Sequence, residues 1–217
     1  SDFQSQVKLN YDGTIMLLTA FENLQNYGGT TTGGIAIILE YDPTKTNTSS
    51  SYLYSTLPAS YGPVGWKVMG KQITPPNGTY LGYRWNNENE NISISDDGLT
   101  IAFGDNISNY CVYVYTWNGS AWNLKGSTIP APSGTSSFGK FLSMSGDGDS
   151  IISGTESDKH YVFKWDGTTW VQHGGFIYIE GIGQQRGQAI NTDGTVIAVG
   201  DEKRGGIIKI FDKNPLE

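Results

Sequence analysis

Two histidines, one cysteine and scattered carboxylates are the residues of this 217-residue chain best suited to do chemistry. Acyl or glycosyl transfer needs a nucleophile, a base and a charge-stabilising donor within reach of one another. His160 opens one run of β-formers and His173 lies in another, at strand positions expected to be partly exposed, where structure accounts for both without catalysis. Cys111 has no second cysteine to pair with and sits among Val and Tyr, so it reads as a small buried apolar side chain rather than a reactive thiol. Two carboxylates on facing loops could hydrolyse a glycosidic bond, yet no spacing in the chain singles out a pair. No catalytic residue and no cofactor is expected, and the chain is read as a non-enzyme.

Aromatic faces stack on sugars, so Tyr52, Tyr54 and Tyr61, which belong to no repeat, are the residues read as free to bind a ligand. Trp66, Trp117, Trp122, Trp165 and Trp170 do repeat, and a ring of about 150–250 Å² placed at every repeat is better spent as core. Glycosylation sequons stand at Asn47, Asn77, Asn91 and Asn106. A fifth, at Asn118, falls in an Asn-Gly turn that backbone geometry alone explains.

The elements that must position these residues are strands. Glycine at 29 residues, tyrosine at 13 and tryptophan at 6, with no stretch rich in Ala, Leu, Glu and Lys, favour short strands joined by turns. The length is ordinary for one all-β domain, so residues 1–217 are read as a single domain. A net charge of -7 repels phosphate, and Lys203-Arg204 is offset by Asp201-Glu202, so nucleic acid is not an expected partner. The longest apolar runs, such as Gly34 to Leu39, are strand-sized and far short of the roughly 20 residues that span a bilayer, so no membrane insertion is expected. The first residue is Ser rather than Met, which points to a processed form or a piece of something longer.

Four Asp-Gly dipeptides, Asp12-Gly13, Asp97-Gly98, Asp147-Gly148 and Asp193-Gly194, each lie between short apolar segments, as a hairpin turn with positive φ requires. Asp97 and Asp147 are 50 residues apart and Asp147 and Asp193 are 46 apart, a period that fits one four-stranded propeller blade. Asp12 and Asp97 are 85 apart, which is read as one blade carrying an insertion at 42–63. A second hairpin repeats in the middle copies: Trp117 and Trp122 flank Asn118-Gly119, Trp165 and Trp170 flank Asp166-Gly167, and each pair is displaced from the other by 48 residues. Trp66 is the counterpart of Trp122 and Trp170, and the last copy ends without one. The expected architecture is an all-β propeller of four imperfect blades, at about 3–74, 80–129, 138–178 and 186–213. The fourth lacks its outer strand, so the chain is expected to borrow a strand, to form a homo-oligomer or larger assembly through the open edge, or to be a fragment of a larger propeller.

With Phe138-Gly139 ahead of the third Asp-Gly hairpin, and Leu81-Gly82, Phe3-Gln4 and Arg186-Gly187 as worn counterparts, the repeat resembles the FG-GAP, integrin-type propeller family. The resemblance covers nearly the whole chain. It implies an extracellular, cell-surface or virion-surface scaffold that contacts protein or glycan partners. The family's usual ligand is calcium, held by alternate oxygen donors with another Asp three residues after the Gly. Here those slots hold Ser93, Ser95, Asp97 and Ile101; Ser143, Ser145, Asp147 and Ile151; and Ala189, Asn191, Asp193 and Ile197. One carboxylate per loop does not hold a hard divalent ion tightly, so no metal is expected, and Asp147 with Asp149 is the one pair left to examine. The function expected is a non-catalytic structural or adhesive surface module. The alternative is a lectin or glycan-processing enzyme that uses the propeller mouth.

Overall fold

The computed structural model describes residues 4–21, 34–45, 65–74, 90–105, 109–155, 159–178, 187–201 and 207–212. All regular structure among them is β, and no helix is long and apolar enough to cross a membrane.

Four antiparallel sheets follow one another along the chain, each a meander. The first holds β1 (Gln4–Leu9), β2 (Ile15–Phe21), β3 (Ile35–Tyr41) and β4 (Trp66–Val68). The second holds β5 (Ile92–Ile94), β6 (Thr100–Asp105), β7 (Cys111–Trp117) and β8 (Trp122–Leu124), with β9 (Ile129–Pro130) returning to pair with the start of β7. The third holds β10 (Phe141–Met144), β11 (Ser150–Gly154), β12 (Lys159–Trp165) and β13 (Trp170–Tyr178). Among the described residues the fourth has three strands, β14 (Gly187–Ile190), β15 (Val196–Asp201) and β16 (Ile207–Asp212). These are the four imperfect blades of a propeller. Their first strands lie closest together, β1 beside β5, β5 beside β10 and β10 beside β14.

Both faces of a middle blade are apolar because each packs on a neighbour. Ile101, Phe103, Cys111 and Tyr113 face the first blade and meet Leu17, Ile38 and Met69. Their strand neighbours Ala102, Val112 and Val114 point the other way and meet Phe138, Leu142 and Ile151 of the third blade. A third, smaller cluster of Ile152, Val162, Ile197 and Val199 joins blades three and four. A closed ring of four blades needs four such interfaces; the described residues form three.

The Asp-Gly turns are built by one rule. Gly13, Gly98, Gly148 and Gly194 have φ of 75°, 74°, 72° and 69°, the left-handed region that glycine enters without steric cost. The residue three before each glycine braces the loop from inside: Asn10 Oδ1, Ser95 Oγ, Ser145 Oγ and Asn191 Oδ1 accept the N–H of Ile15, Thr100, Ser150 and Val196 at 2.8, 2.9, 2.8 and 2.8 Å. Each turn aspartate is used as well. Asp12 Oδ1 accepts the Thr14 N–H at 2.9 Å and Asp193 Oδ1 that of Thr195 at 3.1 Å, while Asp97 and Asp147 accept from Leu99 and Asp149. Ser95, Ser145 and Asn191, at positions where the resembled family places calcium donors, thus close the hairpins.

Candidate functional site

The blade boundaries are where this molecule brings unusual side chains together, and a motif missed in the reading of the sequence organises them. Trp, Gly and an isoleucine recur at the same offsets as Trp66, Gly70 and Ile73; Trp122, Gly126 and Ile129; and Trp170, Gly174 and Ile177. The three glycines take φ of 78°, 74° and 71°. A left-handed residue makes the outer strand bulge, after which the chain rejoins the third strand, with Ile73 opposite Ala36, Ile129 opposite Val112 and Ile177 opposite His160. The glycine four residues after each of these Trp residues is the signal in the sequence that marks the motif.

At two boundaries the bulge is filled by the next blade's indoles. A Cβ on Gly70 would stand 2.6 Å from Cζ3 of Trp117, and one on Gly126 would stand 2.6 Å from Cζ3 of Trp165. Beside them Trp122 Nε1 donates to the carbonyl of Met69 and Trp170 Nε1 to that of Lys125, both at 2.9 Å. The paired rings are 5.4 Å apart for Trp117 with Trp122 and 5.5 Å for Trp165 with Trp170. Lys125 adds a clamp between blades two and three: its Nζ lies 5.6 and 5.5 Å from the centroids of Trp165 and Trp170 and donates to Asp149 Oδ1 at 2.5 Å. In the first blade Tyr41 and Trp66 form the corresponding edge-to-face pair at 5.5 Å.

The third copy differs. Among the described residues no atom lies within 4 Å of where a Cβ on Gly174 would stand. The blade that should fill the position is the three-stranded one, and β16 has no outer neighbour among the described residues. Val112 lies opposite Gly104 and Ile208 opposite Gly200, so Ile208 and Ile210 occupy the register of Val112 and Val114. The valines are 0% and 1% exposed under blade three, whereas the isoleucines are 73% and 70% exposed. Two aliphatics thus stand uncovered beside a strand edge that has no partner among the described residues.

The residues singled out for chemistry are placed elsewhere. His160 is not partly exposed as expected but buried, because its strand position faces blade four. Its Nδ1 meets Gln188 Oε1 at 2.5 Å while Gln188 Nε2 donates to the Ile152 carbonyl at 2.8 Å, so the amide oxygen must accept and the imidazole Nδ1 carries the proton. His173 is exposed on β13, away from His160 in the bulge. Cys111 is buried, and burial pushes its thiol up to about 11, far from a thiolate at neutral pH. Asp149 is committed to Lys125 and Asp147 to its own turn, and no cluster of metal-ligating side chains occurs among the described residues.

Asn91 is fully buried, its Nδ2 donating to Gly104 O at 3.2 Å and its Oδ1 accepting from Gln6 at 2.6 Å, so this packing leaves no space for a glycan on it. Asn118 Oδ1 closes its own turn by accepting the N–H groups of Ser120 and Ala121 at 3.0 and 2.9 Å. Tyr52, Tyr54, Tyr61, Asn47, Asn77 and Asn106 lie outside the described residues. Trp170 is buried, and Trp66, Trp117, Trp122 and Trp165 are half-buried at the blade boundaries.

No protein-family model and no curated protein sequence matches the chain. Solved propellers do match in structure. A candidate 6-phosphogluconolactonase of Bacteroides fragilis is 15% identical, with a TM-score of 0.57 over 96% of this chain and 50% of its own. The β-propeller domain of Cps50 (Swd1) of Myceliophteria thermophila is 11% identical, with a TM-score of 0.57 over 97% of this chain and 54% of its own. At such identities the likeness is one of fold, and the chain spans about half the length of the propellers it matches.

Proposed function

We propose that this chain is a non-catalytic structural or adhesive module of the FG-GAP, integrin-like kind, working through contacts with protein or glycan partners at a cell or virion surface. The observation that carries the reading is the open side of blade four, where Ile208 and Ile210 lie bare on a strand edge. An uncovered aliphatic face beside a strand edge is the kind of surface on which proteins associate. The polar groups that a catalyst would need are tied into the scaffold: His160 holds two blades together, and the turn aspartates close their own loops. A net charge of -7 weighs against a nucleic-acid partner.

The second reading is a lectin or an enzyme that uses the propeller mouth, and the fold likeness to a candidate 6-phosphogluconolactonase is what favours it. A glycan array together with a hydrolase panel that includes 6-phosphogluconolactone separates the two. Turnover of any substrate, abolished by substitutions at the mouth, overturns the module reading. Selective glycan retention without turnover favours the lectin, and saturable protein binding without either supports the module reading.

A further inference from the structure

We propose that the partner of this module is a second copy of the same chain, docked head to tail: the open face of blade four on one copy seats the open face of blade one on the other, and two such contacts close a ring of eight blades. This rests on the reading of the chain as an interaction module and names what the module binds. The two open faces are the two halves of an interface that the molecule already repeats inside. Between blades two and three, Ala102, Val112 and Val114 receive Leu142, Met144 and Ile151. On blade four the receiving register belongs to Ala198, Ile208 and Ile210, because Ala198 pairs with Ile210 as Ala102 pairs with Val114, and Ile208 lies opposite Gly200 as Val112 lies opposite Gly104. Ile197 and Val199 point at blade three, so Ala198 between them points away. On blade one the inserting register belongs to Val7, Leu9 and Met16, which stand as far from Asp12 as Leu142, Met144 and Ile151 stand from Asp147. Gln6 and Leu17 point at blade two, so their strand neighbours Val7 and Met16 point away from it. Leu142 and Met144 are each 5% exposed under blade two, whereas Val7 and Leu9 are 53% and 52% exposed. One chain therefore carries both sides of the contact, each apolar and each bare.

The backbone carries the same series. At the Asp-Gly turns Tyr11 N–H donates to the Asp96 carbonyl at 3.2 Å, Asp96 N–H to that of Gly146 at 2.8 Å, and Asp147 N–H to that of Thr192 at 2.9 Å. Each acceptor directly precedes a turn aspartate, and Tyr11 holds that position in blade one, so its carbonyl is the acceptor for the blade-four turn of the other copy. A head-to-tail contact gives a ring only if its rotation closes. The chain spans 50% and 54% of the solved propellers it matches, so two arcs supply about one full turn, and eight blades lie within the range that propellers adopt.

The test is the mass of the whole chain in solution by sedimentation equilibrium, with Leu9→Glu and Ile210→Lys placed at the two ends of the arc. A species of two copies is expected. Each variant alone is expected to raise the dissociation constant about tenfold or more, because an unpaired charge enters both contacts of the ring. An equimolar mixture of the two variants is expected to recover the two-copy species, since that ring has one contact free of substitutions and one in which the introduced charges are of opposite sign. Both side chains are exposed, so circular dichroism is expected to show both variants folded. Should either fold poorly, Val7→Glu or Ile208→Lys carries the test in its place. A chain that stays monomeric overturns the proposal, as does a mixture of the variants that stays monomeric. A dimer that Ile210→Lys breaks and Leu9→Glu leaves intact would mean that two blade-four faces meet, and a mass that keeps growing past two copies would mean that the contact does not close; either overturns it too. None of these outcomes touches the module reading, which the substrate panel and the glycan array test separately.

Discussion

The boundary between blades two and three and the side of blade four that faces away from blade three are built from one repeat and end in opposite states. Register aligns Gly104, Gly154 and Gly200 as equivalents, because they pair with Val112, His160 and Ile208. A Cβ on Gly104 would meet the Gly139 carbonyl oxygen at 1.9 Å, one on Gly154 would meet the His160 ring at 3.1 Å, and one on Gly200 would find its nearest atom at 3.9 Å. Packing density therefore falls along the chain at a fixed position of the blade. The tight end explains the Phe-Gly step: Phe138 fills the interface, and Gly139 lets the backbone pass directly over Gly104. The comparison teaches that a repeat sets the shape of a blade, while the neighbour determines whether that shape is used.

The sharpest way to break the comparison is an alanine at each equivalent glycine. Gly104→Ala should cost about 3 kcal/mol or more, since backbone rather than a yielding side chain must move. Gly154→Ala should cost less because the His160 ring can shift, and Gly200→Ala should stay within about 1 kcal/mol. Urea denaturation of the three variants checks the order, and equal losses would show that the gradient is not real.

Next in size are the tryptophans. Trp170→Ala removes a buried ring and its bond to Lys125 and should cost about 2–4 kcal/mol, a fall of several degrees in Tm. Trp122→Ala, half-buried, should lose somewhat less, and unchanged melting in either variant would contradict their role at the boundaries. Gly126→Ala meets a Trp165 ring as well as an unfavourable φ, whereas Gly174→Ala meets only the φ. The former should therefore destabilise by about 1–3 kcal/mol and the latter by about 1 kcal/mol.

The smallest effect is expected in the turns, which are alike at both ends of the molecule. The hydroxyl and N–H of Thr14 hold the Asp12 carboxyl below its ordinary value of 3.8, and Thr195 does the same for Asp193. A folded value below the unfolded one gives stability that is complete above the unfolded pKa and is lost as pH falls through the folded value. Urea midpoints should therefore decline on acidification below about pH 4, and Asp12→Asn or Asp193→Asn should flatten the decline slightly. An unchanged slope in both variants would remove these carboxylates as contributors.

The local units of the fold were legible in the sequence, because a hairpin turn that needs positive φ writes its requirement as Asp-Gly, and a strand writes its length as an apolar run. The paired Trp hairpins and a fourth blade with three strands among the described residues could be read in the same way. The destinations of those side chains could not. His160 and His173 both look like exposed strand histidines, yet one is sealed against Gln188 of the next blade and the other lies in solvent, since exposure depends on which neighbour covers a face. Asn91 reads as a sequon and is a buried bracket to Gly104 and Gln6 for the same reason. Gly70, Gly126 and Gly174 share one spacing, and only the stacking of blades made two of them seats for indoles, while no described atom lies over the third. Backbone conformation is a short-range property that neighbouring residues fix; burial is a long-range one that arises when separate sheets meet.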